Sequence, residues 1–146
     1  MTPGFHWPLR VYYEDTDAGG IVFYANYLKF FERARTEWLR AAGIQQQMLA
    51  EQEQRIFVVK STAIDYHAPA KLDDQLEITV TVKKLGRASV EFMHEAWRRD
   101  SAADARLLCS GGIRVGCVDA LSLRPAPIPA AVHEGITRFA AGVAPD

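Results

Sequence analysis

The chain has 146 residues, of which 49% are hydrophobic and 24% charged, and its formal net charge is −1. A domain of roughly 150 residues buries about 70% of its unfolded surface, so a core forms without metals or disulfides. A charge so near zero removes the general attraction on which nucleic-acid binding depends. The two cysteines, Cys109 and Cys117, are spaced C-x7-C with no histidine at ligand spacing. That pattern is neither a zinc site nor a disulfide framework, and nothing implies a metal or a cofactor. Met1 to Pro8 lacks the basic stretch and apolar run of a signal peptide, and no apolar run is long enough to span a bilayer. The expectation is a cytoplasmic protein without membrane insertion.

Leu9 to Tyr13 is short and β-rich, a first strand. Glu14 to Gly20 is a polar loop in which Gly19 and Gly20 permit unusual backbone angles. The period then changes. From Asn26 to Ala42 the apolar positions Tyr27, Phe31, Ala34, Trp38 and Ala42 recur at steps of three and four, one face of an amphipathic helix. Arg33, Glu37 and Arg40 lie toward the other side, Asn26 suits the N-cap, and Gly43 suits the C′ position.

Gln45 to Gln54 reads as a polar connection, and four β segments follow. Ile56 to Tyr66 has Ile56, Val58 and Ile64 on one face, with Phe57, Val59 and Ala63 on the other. In Leu76 to Val82 the residues Leu76, Ile78, Val80 and Val82 point inward, and Glu77, Thr79 and Thr81 outward. After a turn at Leu85-Gly86-Arg87 come a strand over Ala88 to Trp97, a polar loop over Arg98 to Asp104, and a final strand over Leu107 to Val118. Cys109 and Cys117 share that strand eight residues apart, too far to bridge. Ser110-Gly111-Gly112 within it reads as a bulge or a close backbone approach. A semi-rigid Pro-rich tail leads to a short helix over Ala130 to Phe139, with Pro129 at its start.

Strand, helix and four further strands imply an α+β class: one curved antiparallel sheet wrapped around one long helix. A ferredoxin-like arrangement would need a second full helix between strands, and none is visible. The chain reads as one domain over 1–146, its core at about 9–119 and its tail and short helix at 120–146.

Tyr13-Glu14-Asp15-Thr16-Asp17-Ala18-Gly19-Gly20-Ile21-Val22, followed by Asn26-Tyr27 and Glu32-Arg33-Ala34-Arg35, resembles the hot-dog acyl-CoA thioesterases. The similarity is to the YbgC type associated with the Tol-Pal genes, with the hydroxybenzoyl-CoA thioesterases as near relatives. Tyr66 to Asp74 and Cys117-Val118-Asp119 resemble the same group, so the likeness runs from about Leu9 to Pro129. It implies a hot-dog fold, side-by-side dimers often paired into homotetramers, and acyl-CoA or aroyl-CoA hydrolysis with Asp17 as the catalytic aspartate. Tyr24 stands where many YbgC-type sequences have histidine and hydroxybenzoyl-CoA thioesterases have tyrosine. A histidine-assisted step therefore does not carry over.

Thioester hydrolysis needs a nucleophile and donors for the carbonyl oxygen. The first turn of a helix leaves its N–H groups without intrahelical partners and carries about half a positive charge. Asp17 and Tyr24 are thus the candidate catalytic residues. Gly19, Gly20, Ile21, Val22, Tyr27 and Arg87 are the candidate substrate-binding ones. Asp17 can attack directly or activate water, and the residues leave both routes open. Taken alone, Asp15-Thr16-Asp17 would be a turn or cap, and Asp15 stays structural. The three acids Glu14, Asp15 and Asp17 lack the glycine and glutamate spacing of a calcium loop. Tyr24, Tyr27 and Phe31 read first as core or pocket wall, and Glu32 as a solvated acid.

His67 and His94 fall on strands without a recognisable triad, and no Gly-x-Ser-x-Gly elbow is present. Lys84, Arg87, Arg98 and Arg99 group around two turns, a solvated surface or a CoA-phosphate contact. Two other readings compete. One is a hot-dog dehydratase, disfavoured because no histidine lies between Asp17 and Tyr27. The other is a non-catalytic module that binds acyl carrier protein or phospholipid-synthesis enzymes.

Overall fold

Five strands pair antiparallel into one sheet: β1 (His6–Arg10), β2 (Arg55–Tyr66), β3 (Gln75–Leu85), β4 (Ser89–Arg99) and β5 (Ala105–Asp119), in the spatial order β1-β3-β4-β5-β2. Three helices accompany them, α1 (Tyr27–Ala41), α2 (Gln46–Glu53) and α3 (Ala130–Ala140). The computed structural model describes residues 4–101, 103–143 and 145. Met1 to Pro3, Ala102 in the loop expected over Arg98 to Asp104, and Ala144 and Asp146 in the tail lie outside them.

The helical stripe read from the sequence is the core. Tyr27, Phe31, Ala34 and Trp38 are all buried on α1, and Ala42 just beyond its end is buried too. Phe30 and Leu39 widen the stripe. Trp38 meets Phe92 of β4 edge-on at 5.6 Å, and Phe31 stacks on His94 at 4.9 Å. Each large apolar side chain so buried contributes about 1.5–3 kcal/mol. Gly43 ends the helix as expected, with φ of 88°. Its N–H donates to Arg40 O at 3.0 Å, and that of Ile44 to Leu39 O at 2.8 Å, the paired bonds of a Schellman motif.

Several expectations need correcting. The first strand is His6–Arg10, three residues earlier than read. Its register on β3, Arg10 opposite Gln75, ends where β3 begins, and the β-rich Tyr12 and Tyr13 are drawn into a 3-10 turn. Pro8 is tolerated because β1 is an edge. Asn26 is no side-chain cap: its backbone is already helical, behind a second 3-10 turn at Tyr24–Asn26. The connection over Gln45 to Gln54 contains α2, whose single buried residue, Leu49, leaves no periodic signal. Thr79 points away from α1 yet is buried, and its hydroxyl accepts the Glu95 N–H at 3.1 Å.

β2 shows why period-two reading can fail. Its register on β5 shifts between Val59 and Ser61, so Lys60 is an extra residue and the faces exchange there. Phe57 and Val59 consequently share the α1 side with Ile64, which the alternation had grouped with Ile56 and Val58. His67 falls just beyond β2 rather than on a strand. Cys109 and Cys117 are buried, unbridged thiols on β5. Burial pushes the Cys109 thiol up to about 12, which keeps it protonated.

Of the two readings of Ser110-Gly111-Gly112, close approach is the one observed. A Cβ on Gly111 would collide with Ile64 Cδ1, 3.2 Å from the Ala63 carbonyl oxygen and 3.3 Å from Phe31. At Gly116 the obstruction is only the flexible Lys60 side chain. Gly111→Ala should therefore destabilise by about 1–3 kcal/mol, the usual cost of overpacking, and Gly116→Ala by much less. Urea unfolding of both variants measures the difference, and equal losses would refute this account of Gly111.

Candidate functional site

The loop between the first strand and α1 is a tight hairpin with Asp17 at its base. Asp17 N–H donates to Ile21 O at 2.9 Å, and Gly20 N–H to Asp17 O at 3.0 Å. Gly20 takes φ of 78°, which only glycine adopts cheaply. Gly19 N–H donates to Asp17 Oδ1 at 2.8 Å and fixes the carboxylate rotamer. Ile21 bridges to Lys71, while the buried Val22 donates its N–H to Ala70 O at 2.9 Å.

Asp15, two residues away, has a different task. It is 6% exposed and accepts the Tyr12 N–H and the Asn26 Nδ2–H, each at 2.8 Å. Its carboxylate joins the end of the first strand to the start of α1, the structural role expected of it. Asp17 is exposed, and its Oδ2 has no partner among the described residues.

Next to this loop the backbone enters α1. Phe23 N–H donates to Asp15 O at 2.9 Å and Asn26 N–H to Phe23 O at 2.8 Å. Tyr24 and Ala25 open the 3-10 turn, so their N–H groups have no acceptor within it. Tyr24 is 64% exposed, which removes the core alternative of its reading, because it sits outside the stripe that α1 buries. It lies 4.7 Å from Phe23 and 6.3 Å from Tyr66, whose hydroxyl donates to Tyr24 O at 2.9 Å. Tyr27 is buried beneath them, and burial raises its hydroxyl to about 12, which keeps it protonated.

Asp17, Gly19, Gly20, Ile21, Val22, Tyr24 and Tyr27 thus gather around the start of α1. Arg87 does not join them. The loop contacts Lys71, just ahead of β3, whereas Arg87 follows its far end. Ten residues at about 3.3 Å each separate the two ends by some 30 Å. The basic group divides in the same way: Arg98 pairs with Asp100 at 2.7 Å and Arg99 with Glu77 at 3.0 Å, at the opposite end from Lys84 and Arg87.

Two histidine contacts escaped the sequence. His67 Nε2 lies 2.9 Å from Ser110 Oγ, on the sheet face turned away from α1. His94 is fully buried: its Nδ1 lies 3.2 Å from Thr79 O, and its Nε2 lies 3.3 Å from Arg35 Nη1. No charged residue was expected on the buried stripe, and no local pattern signals one there. Among the described residues no cluster of three or more His, Cys, Asp or Glu side chains could hold a metal. No helix among them is long and apolar enough to cross a membrane.

Burial first, and the Arg35 charge second, lower His94 from the ordinary 6.5 to about 3. As pH falls the unfolded chain takes up this proton first. The stability that neutral His94 contributes is therefore complete above about pH 6.5 and is lost as pH drops toward 3. Urea unfolding midpoints should decline between pH 7.5 and 5, above the range of ordinary carboxylates. His94→Gln, which keeps an acceptor for Arg35, should flatten that decline, and an unchanged slope would remove His94 as its source.

The thioesterase superfamily pattern matches residues 19–105. The acyl-CoA thioesterase YbgC of Haemophilus influenzae is 46% identical over 126 residues, covering 86% of this chain and 89% of the relative. A solved gentisyl-coenzyme A thioesterase superposes with a TM-score of 0.77 at 26% identity, covering 88% of this chain and 98% of its own. A solved 4-hydroxybenzoyl-CoA thioesterase, complexed with 4-hydroxybenzoyl-CoA, superposes with a TM-score of 0.84 at 21% identity, over 90% of this chain and 97% of its own. That last likeness is one of fold.

Proposed function

This chain belongs to the thioesterase superfamily, and we propose that its Asp17 carries the hydrolysis of an acyl-CoA or aroyl-CoA thioester, releasing the free acid and CoA. The single observation behind this role is the state of the carboxylate. Gly19 holds one oxygen while the other has no protein partner among the described residues, on the loop that leads into the helical path. Asp15, by contrast, has both oxygens engaged by protein donors. Tyr27 and Cys109 are held protonated by burial.

Two routes fit this geometry. In one, Asp17 attacks the carbonyl carbon, the C–S bond breaks, CoA departs as thiolate, and water hydrolyses the mixed anhydride. In the other, Asp17 takes a proton from the water that attacks. In both, the Tyr24 and Ala25 N–H groups receive the carbonyl oxygen as it becomes negative, and one such donor contributes about 3–4 kcal/mol. Gly19, Gly20, Ile21 and Val22 hold the backbone close to the thioester, and Tyr27 forms the wall behind it.

Asp17→Asn retains the side-chain shape and the acceptor for Gly19 but loses the charge. Turnover should fall by about 10²–10⁴-fold, the usual contribution of a general base, and further if Asp17 is the nucleophile. Melting temperature and affinity for a product analogue should stay at wild-type values. A turn role gives the reverse, a lower melting temperature with specific activity intact, and that result would move the chemistry elsewhere.

The working unit is a homo-oligomer, a dimer or a dimer of dimers. β2 is a twelve-residue edge strand that carries exposed Val59 and Tyr66, and Phe23 and Tyr24 ahead of α1 and Leu28 on it are exposed as well. An edge and an apolar surface of this kind call for cover. The distance between Asp17 and Arg87 points the same way, since Arg87 would reach a CoA phosphate from a neighbouring copy. Light scattering at micromolar concentration should find a dimer or larger. Arg87→Ala should raise KM for acyl-CoA more than for a truncated thioester lacking the nucleotide. A fully active monomer, or equal effects on both substrates, would refute this arrangement.

A further inference from the structure

Arg35 sits on the buried side of α1 and is only 8% exposed. Buried cations are ordinarily matched by a carboxylate, yet no acidic oxygen lies within ion-pair distance of this guanidinium among the described residues. Its one hydrogen bond is to His94 Nε2, a neutral acceptor. Burial pulls Arg35 down to about 10, so it stays charged near neutrality. The Nη2 and Nε N–H groups have no protein acceptor, and no buried polar side-chain atom is left unpaired among the described residues. Those donors therefore open onto space, and the space is a cavity of about 120 Å³ between α1 and the sheet.

The cavity walls are apolar: Leu39 from α1, Phe57 from β2, Val90 and Phe92 from β4, and Val115 from β5. Glu32, Thr36 and Gln46 also line it. Glu32 is solvent-exposed, and its carboxylate acts on Arg35 only through its field. An engineered cavity of about 150 Å³ holds a benzene ring, so this one accepts a group of a few carbons. A planar guanidinium matches a planar anion with two parallel N–H donors.

We propose that this cavity is a receptor for a carboxylate carried on a small apolar body, with Arg35 as its selecting cation. Its position connects it to the site at Asp17, and to that extent the inference rests on the reading above. Tyr24 and Arg35 stand on the same helical path, and Val59 of β2 is in the cavity wall. Eleven residues of helix, about 16 Å, separate Tyr24 from Arg35. The carboxylate thus has two sources: the far end of an acyl group whose thioester lies at Asp17, or a free short-chain acid.

Calorimetric titration with butanoate and its neutral isostere butanamide tests the receptor without any turnover. Wild-type protein should bind butanoate at least ten times more tightly. Arg35→Met should erase that preference. Val115→Phe, which fills the cavity from β5 and leaves Arg35 in place, should weaken both ligands and carries the test if Arg35→Met does not fold. Equal affinity of the wild type for the two ligands, a preference that survives Arg35→Met, or wild-type butanoate binding by Val115→Phe would overturn the proposal.

The sources separate in turnover. If the acyl end occupies the cavity, kcat/KM for dodecanedioyl-CoA, long enough to span the separation of Tyr24 from Arg35, should exceed that for dodecanoyl-CoA by about tenfold, and the ratio should collapse in Arg35→Met. A ratio near one, with butanoate binding intact, assigns the cavity to free acid. Undiminished activity of Asp17→Asn would sink the catalytic reading and leave the butanoate result standing, so the two failures are distinguishable.

Discussion

The buried carboxylate of Asp15 fixes the geometry on which the site depends. It accepts one donor from the backbone leaving β1 and one from the side chain that opens α1. These charge-assisted bonds in a dry setting hold strand end and helix start in one relation. Asp17 lies on the short hairpin suspended between those anchors, with its own rotamer set by Gly19. Two acids two residues apart thus have opposite roles, one satisfied and inward, the other partly free and outward.

The same economy of contacts governs the helix on the sheet. Gly111 offers no side chain beneath Phe31, so the helix settles close to β5, and Phe31 in turn stacks on His94. His94 sits at the centre of the sheet and is kept neutral by burial, which lets its Nε2 accept from Arg35. An aromatic stripe, a glycine and a neutral imidazole together let a guanidinium enter an otherwise apolar core. Where the side chains of α1 and β2 do not close against each other, the cavity remains.

The sheet ends in two different edges. β1 is short and carries Pro8, which limits further pairing. β2 is long, bulged at Lys60 and flanked by exposed aromatic and aliphatic side chains. The hot-dog arrangement of one helix against a curved sheet therefore leaves exposed Tyr24, just ahead of α1, 6.3 Å from exposed Tyr66 at the end of β2.

Much of this was legible in the sequence because it is encoded locally. The stripe from Tyr27 to Trp38 follows helical period, Gly43 supplies the left-handed C′ residue, and Leu76, Ile78 and Val80 alternate as a half-buried strand must. The Asp17 hairpin was marked by its acids and paired glycines. Tertiary structure decided what depends on partners distant in the chain. Pairing with β3 placed β1 three residues early, because register and not propensity ends a strand. The Lys60 bulge exchanged the faces of β2, a shift that period-two reading cannot register. α2 forms around one buried leucine, too little to generate a period. Arg35 drew no reading of its own beyond the run Glu32-Arg33-Ala34-Arg35, and only His94, 59 residues away, gives it a buried place. The separation of Arg87 from Asp17 likewise follows from the length of β3, which sets neighbours in sequence apart and brings distant ones together.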